Sequence, residues 1–375
     1  MTTTINEHEI KQRAIRCALG LGAAAVAIAP ALPDARTRRR MEEAFARGDF
    51  ATWPYDDEYA RRATTPAELL PGARSVVCVA VPYAGSESPA VPPPLHGRVS
   101  NYAARSDYHR ELAALLSAVA REIDRAAGKA VTAVACDTRP LAERALAARA
   151  GLGWVGKHTN LIAPAAGSFV FLGEVVTTLD LPPDTPSRKN CGACARCVQA
   201  CPTGALRGDY TIDATRCISD LTQRKDGVPR AMRQLVGDWV WGCDLCQLVC
   251  PPNARSAVRG TRAGATGAVP LVELLRVRGS RFKKRFRASA MGWRGPAVLR
   301  RNAAVALGNG LDRSAVGPLI EAAAADASAM VRGHAVWALG RIGSPRALAA
   351  LHERRALETD AGVRAEIDAA LAVWE

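Results

Sequence analysis

Eight of the chain's eleven cysteines fall between Cys191 and Cys250 at metal-binding spacings, and that run restricts the possible folds more than any other feature. Its first part reads Cys191-x2-Cys194-x2-Cys197-x3-Cys201-Pro202, its second Cys243-x2-Cys246-x3-Cys250-Pro251, with Cys217 between them. A cubane [4Fe–4S] cluster takes four thiolates, and tight turns let backbone amides point at its sulfides. In two-cluster ferredoxins the cysteine before proline crosses to the other cluster. That rule assigns Cys191, Cys194, Cys197 and Cys250 to cluster one, and Cys201, Cys243 and Cys246 to cluster two. The second run has only two cysteines before its Cys-Pro step, so Cys217 supplies the missing ligand and the count closes. Zinc held by four thiolates per site is the competing reading. Zinc modules do not usually share ligands in this crossed pattern or end in Cys-x3-Cys-Pro. The chain therefore reads as an electron-transfer protein or a redox enzyme with a ferredoxin-like two-cluster domain.

Cysteines used this way belong in a reducing compartment, which points to the cytoplasm. Cys17, Cys78 and Cys136 stand alone in apolar surroundings and read as small buried hydrophobes. Ala18–Pro33 is apolar, follows Lys11, Arg13 and Arg16, and imitates an export signal. It is too short to span a membrane, and Gly20 and Gly22 break it. Ala23–Ala29 reads as a buried strand after a short helix, so no membrane association is expected.

With 375 residues, two or three compact regions are expected. Residues 1–185 alternate strand and helix patterns and read as an α/β domain. Ser75–Pro82, Ala130–Cys136 and Phe169–Leu179 are the apolar strand runs, and Arg110–Ala127 and Leu141–Ala150 the helical ones. A Pro-rich boundary follows, and 186–253 is the cluster domain. Residues 298–375 repeat: Val298–Gly308 matches Val331–Gly340 with Arg301 and Arg332 in register, and a unit from Val363 follows. A helical repeat of this length is a HEAT-like solenoid, which serves as a partner surface or as a packing cap.

The intervening region, 254–297, is a basic linker. The formal net charge of the chain is +14, and Asn253–Arg301 holds thirteen Lys/Arg against one acid, Glu273. Arg281, Lys283, Lys284, Arg285 and Arg287 are its densest part. Such a block suits phosphates, nucleic acid or an acidic membrane, and otherwise is a solvated linker. Phe282, Phe286 and Trp293 are aromatics that could stack on bases.

Asp137 follows the strand run Ala130–Cys136, where α/β sheets place ligands. It reads equally as a general acid in a pocket or as a helix N-cap. Gly151-x-Gly153-x-x-Gly156 follows a helix rather than a strand, so it is a weak dinucleotide fingerprint.

Arg105-Ser-Asp-Tyr-His109, Asp137-Thr-Arg-Pro140, Gly151-Leu-Gly-Trp-Val-Gly-Lys157 and Gly167-Ser-Phe-Val-Phe-Leu-Gly173 precede Cys201-Pro-Thr-Gly-Ala205, Cys217-Ile-Ser219 and Gly242-Cys-Asp-Leu-Cys-Gln247. In these segments the chain resembles the epoxyqueuosine reductases, cobalamin-dependent iron–sulfur enzymes of tRNA modification that also end in helical repeats. The resemblance implies that the α/β domain holds cobalamin without a histidine lower ligand, and that the clusters feed it electrons. The epoxide at the wobble base of tRNA is then reduced to queuosine. It implies Asp137 as proton donor, and Asp137, Ser219, Asp244, His158, Ser168 and Arg62 as cofactor contacts. It also implies that the basic region, with Arg281, Lys283, Lys284, Arg285 and Arg287, holds the anticodon arm. The electron donor is unknown, and a monomer is expected. The chain departs from the family at Asp220, where tyrosine is common, at Arg224, where an acid is common, and at Pro252, where tryptophan is common. An arginine three residues before a proline is displaced to Arg62, four before Pro66. The alternatives are a corrinoid iron–sulfur reductase of a small molecule and a ferredoxin-like electron carrier without chemistry.

Overall fold

The computed structural model describes residues 6–50, 52–83, 92–104, 106–255 and 267–374. Arg105 and part of the basic linker, 256–266, lie outside them. The elements begin α1 (Glu7–Gly20), β1 (Ala25–Pro30), α2 (Ala35–Ala46), α3 (Asp57–Ala63), β2 (Ser75–Pro82) and β3 (His96–Val99). They continue α4 (Tyr108–Ala127), β4 (Thr132–Ala135), α5 (Glu143–Arg149), β5 (Trp154–Val155), β6 (Leu161–Ile162) and β7 (Val170–Thr177). The cysteine region holds α6 (Arg196–Gln199), α7 (Ile218–Gln223), α8 (Arg230–Val236), β8 (Trp239–Trp241), α9 (Leu245–Leu248) and α10 (Pro251–Ala254). The rest is β9 (Ala268–Pro270), α11 (Leu271–Leu275), α12 (Gly279–Phe286), α13 (Pro296–Gly310), α14 (Val316–Ala325), α15 (Ala329–Ile342), α16 (Pro345–Leu357) and α17 (Ala361–Leu371).

The chain forms two compact units. One draws on Met1–Glu87, Tyr108–Thr215 and Leu245–Ala263, the other on Ser88–Asp107, Arg216–Asp244 and Gly264–Glu375. The cysteine run is thus divided: Cys217 and Cys243 belong to the second unit, the other six to the first.

In the first unit a four-stranded sheet runs β1-β2-β7-β4. Its strands are apolar on both faces because helices cover both. Ile28, Val77, Val79 and Val175 pack with Ile10 and Ala14 of α1 and Leu112, Leu116 and Val119 of α4. Val76, Cys78, Ala80 and Val176 face Leu146 and Ala147 of α5. The expected alternation of helix and strand is present, but every pairing in this sheet is antiparallel. Asp137 does lie just beyond the carboxyl end of a strand, β4, but in an antiparallel sheet that end is not a general ligand site, and its position has a local cause described below. Cys78 and Cys136 are buried in these cores, and Cys17 packs on one of them. The signal-like stretch divides between the end of α1 and β1, which pairs with β2 along its length.

In the second unit the helical repeats stack, with Arg300 rather than Arg301 in the place that Arg332 takes in the next repeat: Arg300 pairs with Asp326 as Arg332 does with Glu358. α13, α15 and α17 pack in series, as do α14 and α16. Glycine recurs where neighbouring helices cross. A Cβ on Gly308 would lie 2.8 Å from Ala338 Cα, and one on Gly340 would lie 2.6 Å from Ala370 Cβ. The stack also supports the cysteine-bearing segment of its own unit. Arg301, fully buried, donates to the carbonyls of Leu221, Arg224 and Asp226, and Asn302 Nδ2 to those of Thr222 and Val240. The solenoid is therefore at least a packing scaffold for the segment after Cys217.

One expectation about the basic linker needs correction. Its described part holds β9, α11 and α12. Phe282 and Phe286 are buried at 9% and 4% exposure, so they anchor α12 instead of stacking on bases. Trp293 remains exposed, with the Arg294 guanidinium over its ring. Glutamates and aspartates from elsewhere also answer part of the charge: Arg276 pairs with Glu321, and Arg278 and Arg300 with Asp326. Arg285 pairs with Glu273. On α12 and its C-cap, Arg281, Lys283, Lys284 and Arg287 are exposed and form no ion pair with a described residue.

Candidate functional site

Cys191, Cys194, Cys197 and Cys250 fall within one another's fields. The Cys250 thiol is pushed up to about 12 by burial and by the sulfurs of Cys191, Cys197 and Cys194. Burial and the Cys191 and Cys194 sulfurs raise Cys197 as well. Thiolates gathered like this repel, and a cationic iron core is what would hold them deprotonated. Cys201 behaves oppositely. Burial alone would raise it, but hydrogen bonds from the Thr203 hydroxyl and from the N–H groups of Ala205, Leu206 and Thr203 outweigh burial and lower it. Backbone amides aimed at a sulfur are what the tight turns of the sequence anticipated. Among the described residues no three His, Cys, Asp or Glu side chains converge as they would around a single metal ion.

The final cysteine run is tied to the loop before β7 by a buried polar knot. Asn253 Oδ1 accepts from the Ser168 N–H at 2.6 Å, and its Nδ2 donates to Ser168 Oγ and to the Gln247 carbonyl. Ser168 Oγ donates in turn to Gln247 Oε1 at 3.0 Å. Only glycine fits before Ser168: a Cβ on Gly167 would lie 2.1 Å from Asn253 Oδ1. Asn253 is the hub, so the Pro252 departure leaves the knot intact, at the start of α10 where proline is tolerated.

Asp137 lies two residues past β4 with φ of +52°, a left-handed conformation that costs a non-glycine residue on the order of 1 kcal/mol or more. It is not a helix N-cap, for that position of α5 is Ala142. Its backbone N–H donates to Glu143 Oε1 at 2.6 Å, which holds the turn. Its carboxylate accepts from the Tyr108 hydroxyl at 2.6 Å and pairs with His109 Nε2 at 3.2 Å. Tyr108 is steadied between His109 and Phe171, stacked at 4.1 and 4.0 Å. The His109 hydrogen bond, helped by Tyr108 and by the charges of His109 and Arg144, holds the exposed Asp137 carboxyl below its usual range against the desolvation its neighbours impose. The resting group is therefore a carboxylate rather than a protonated general acid.

The missing protonated acid sits behind it. Burial pushes Glu143 up to about 7, and the Asp137 charge adds to this. Glu174, fully buried on β7 beside Cys78 and Ala135, has no hydrogen-bond partner for either oxygen among the described residues. Burial, with Glu143 and Asp137 nearby, keeps it protonated. Sequence reasoning passed over both glutamates and gave Tyr108 and His109 no role. The available signal was Glu174 itself, a charge inside the apolar run Phe169–Leu179.

The other implied contacts are placed as follows. His158 is 2% exposed, and burial lowers it to about 4. Its Nδ1 accepts from the Asn160 N–H, so Nε2 carries the hydrogen, and that donor has no partner among the described residues. Asp244 is buried and accepts from Ser100 Oγ at 2.5 Å and the Asn101 N–H at 2.7 Å. Ser219 Oγ is engaged by Gln223 Nε2 at 3.1 Å. Arg62 is exposed on α3 and lines a cleft of about 260 Å³ with Glu68, Leu69, Arg139 and Pro140. The departures at 220 and 224 are partners: Asp220 and Arg224 form a buried ion pair at 2.7 Å across one turn of α7.

Comparison with known proteins bears on this arrangement. Residues 190–253 match the 4Fe-4S double cluster binding domain, 294–372 match HEAT repeats, and 63–138 match "Epoxyqueuosine reductase QueG, DUF1730". Fold and cysteine site together define an iron–sulfur oxidoreductase carrying a helical-repeat scaffold. An epoxyqueuosine reductase from Xanthomonas campestris pv. campestris is 38% identical over 307 residues, 80% of this chain and 86% of that protein. One from Staphylococcus aureus is 33% identical over 90% of both chains. This chain belongs to the epoxyqueuosine reductase family. Solved structures agree: an epoxyqueuosine reductase with an epoxyqueuosine-modified tRNA-Tyr stem loop superposes with a TM-score of 0.90 at 30% identity, covering 98% of this chain and 99% of that one. The Bacillus subtilis enzyme, with its catalytic aspartate loop swung out of the active site, gives 0.89 at 30% identity and the same coverage.

Proposed function

We propose that this chain reduces epoxyqueuosine to queuosine at the wobble position of tRNA, with electrons relayed through two [4Fe–4S] clusters and with cobalamin as cofactor. The observation that carries this reading is the cysteine run, set in a chain of this family, with Cys250 in the field of the three cysteines at the run's opposite end. Cluster one is assigned Cys191, Cys194, Cys197 and Cys250; Cys201, Cys217, Cys243 and Cys246 make the second set. When bound, the clusters supply single electrons and the corrin cobalt a strong nucleophile or reductant toward the epoxide. His158, with its unpartnered buried N–H, is the implied cofactor residue best suited to a polar ligand atom. Ser168, Ser219 and Asp244 are engaged within the protein and position the backbone around them.

Loss of the epoxide oxygen as water consumes two electrons and two protons. The chain must therefore bring protons to that oxygen. Asp137 is the group placed to hand one over. Because it rests as a carboxylate, it must first be loaded, and Tyr108 and His109 are the groups bonded to it that can carry a proton. The protein is expected to act in the cytoplasm; among the described residues no helix is long and apolar enough to cross a membrane. The deciding experiment is mass spectrometry of the wobble nucleoside in tRNA from cells lacking this protein. Accumulated epoxide precursor supports the reading, and an unchanged queuosine level defeats it.

Two further results are expected. Charge reversal at Arg281, Lys283, Lys284 and Arg287 weakens stem–loop RNA binding by on the order of a hundredfold at low salt and flattens its salt dependence. The cluster spectrum stays as it was. Unaltered RNA affinity would reduce α12 to a solvated helix.

Glu143→Ala releases the Asp137 turn and lowers kcat by about ten- to a hundredfold. Glu143→Gln, whose neutral amide oxygen still accepts the N–H, costs only about a few-fold, as protonation of the wild-type acid does. Glu143 faces Asp137, Arg144, His109 and Glu174, and it loses its charge as pH falls through about 7. The charge-assisted bond weakens in the same direction, so the wild-type rate declines on the acid side of 7. The glutamine variant lacks that limb, and matching pH–rate profiles for the two proteins would count against the latch.

A further inference from the structure

Most arginines around the Asp137 site are spoken for. Arg61 pairs with Glu58 and Glu68, and Arg144 donates to the Thr159 carbonyl. Arg149 donates to the Pro30 and Leu32 carbonyls and pairs with Asp34. Arg62 and Arg139 are the exceptions: the side chain of neither makes a hydrogen bond or ion pair with a described residue, and both line the same cleft. Glu58 lies in the field of Arg62 but makes its bonds to Arg61. Two guanidinium groups in one concavity repel, and nothing in the fold requires them to be there.

The cleft's chemistry favours an anion with an apolar flank. A guanidinium fork matches the oxygens of a phosphate. Leu69 and Pro140 offer a surface on which a sugar could rest. Glu68 is the one acid in the lining, and its carboxylate is already bonded by Arg61. The volume, about 260 Å³, accommodates a phosphate and part of its sugar. The location is informative too, because Arg139 is two residues beyond Asp137 in the same turn.

We infer that the cleft between Arg62 and Arg139 receives a phosphodiester of the RNA strand next to the nucleoside being reduced. The inference rests on the function proposed above and adds to it a register device: phosphate contacts fix where a strand sits while bases supply identity. The same chemistry could come from the phosphate in the nucleotide tail of the cofactor, and the test separates the two sources.

Arg62→Gln/Arg139→Gln, and the charge-keeping Arg62→Lys/Arg139→Lys, are compared with the wild type in full-length, cluster-loaded protein. Stem–loop RNA binding is measured by fluorescence anisotropy across a salt series. Cobalamin binding, and that of cobinamide, which lacks the nucleotide tail and its phosphate, is followed by visible absorbance. The glutamine pair should lose about tenfold in RNA affinity at low salt, with a salt slope shallower by about 0.7 to 0.9. The lysine pair should keep most of the slope, and in both pairs the preference for cobalamin over cobinamide should stay at the wild-type value, whatever Arg62 itself contributes to holding the corrin. Unchanged RNA affinity and slope in the glutamine pair would overturn the inference. So would a loss confined to cobalamin, with cobinamide and RNA unaffected, since the phosphate would then be the cofactor's. Should the wild type itself fail to bind the stem loop, the proposed function falls first.

Discussion

Asp137→Asn is expected to slow turnover by about 10²- to 10⁴-fold, the range for loss of a positioned proton donor, while cluster absorbance and RNA affinity stay at wild-type values. The substitution is nearly isosteric and keeps an acceptor for Tyr108 and a backbone N–H for Glu143, so the turn should persist. What it removes is the ability to take a proton and pass it on. The carboxylate is bonded by Tyr108 and His109 and rests ionised, so the loading step involves those neighbours. Tyr108→Phe should then cost less than Asp137→Asn. Wild-type turnover in the asparagine protein would dismiss Asp137 from proton transfer altogether.

Cys250→Ala is expected to remove the same cluster as Cys191→Ala, although fifty-nine positions separate the two cysteines in the chain. Anaerobically reconstituted protein should fall from about eight irons to about four in each case. The electron paramagnetic resonance signal of the surviving cluster should be the same in the two variants and unlike that left by Cys246→Ala. Ligands grouped by nearness in sequence would give the opposite pairing, with Cys250→Ala resembling Cys246→Ala. The crossed grouping agrees with the mutual influence of Cys250 and the first three cysteines.

Much of the frame was legible because its signals are local. The strand at Ser75–Pro82 coincides with its apolar run, and the helical repeat anticipated the stacking of α13 on α15, although the counterpart of Arg332 is Arg300 rather than Arg301, each pairing with an acid farther along, Asp326 for Arg300 and Glu358 for Arg332. Strand direction was not legible: apolar runs buried on both faces look alike in parallel and antiparallel sheets, and the order β1-β2-β7-β4 depends on long-range pairing. The aromatics of α12 were misread for a related reason. Phe282 and Phe286 lie four apart among cations, a spacing that equally describes a stacking surface and an amphipathic anchor, and only packing decides. At the candidate site, the motifs marked Asp137 but not its protonation. That property depends on His109 and Tyr108 from α4 and on Glu143 from α5, which meet only after folding.

The ion pair inside α7 has a consequence for how this branch of the family can vary. Asp220 and Arg224, both 6% exposed, depart from the common residues at two places that look independent on the page but form one contact. Stranding either charge would cost about 3–5 kcal/mol. Replacing Asp220 by tyrosine alone would take away the 2.7 Å partner of Arg224 and leave Asp226 3.8 Å away, and replacing Arg224 by an acid alone would set two carboxylates together. Exchanging this contact for another therefore calls for both positions to change together, since either change alone passes through a less stable protein.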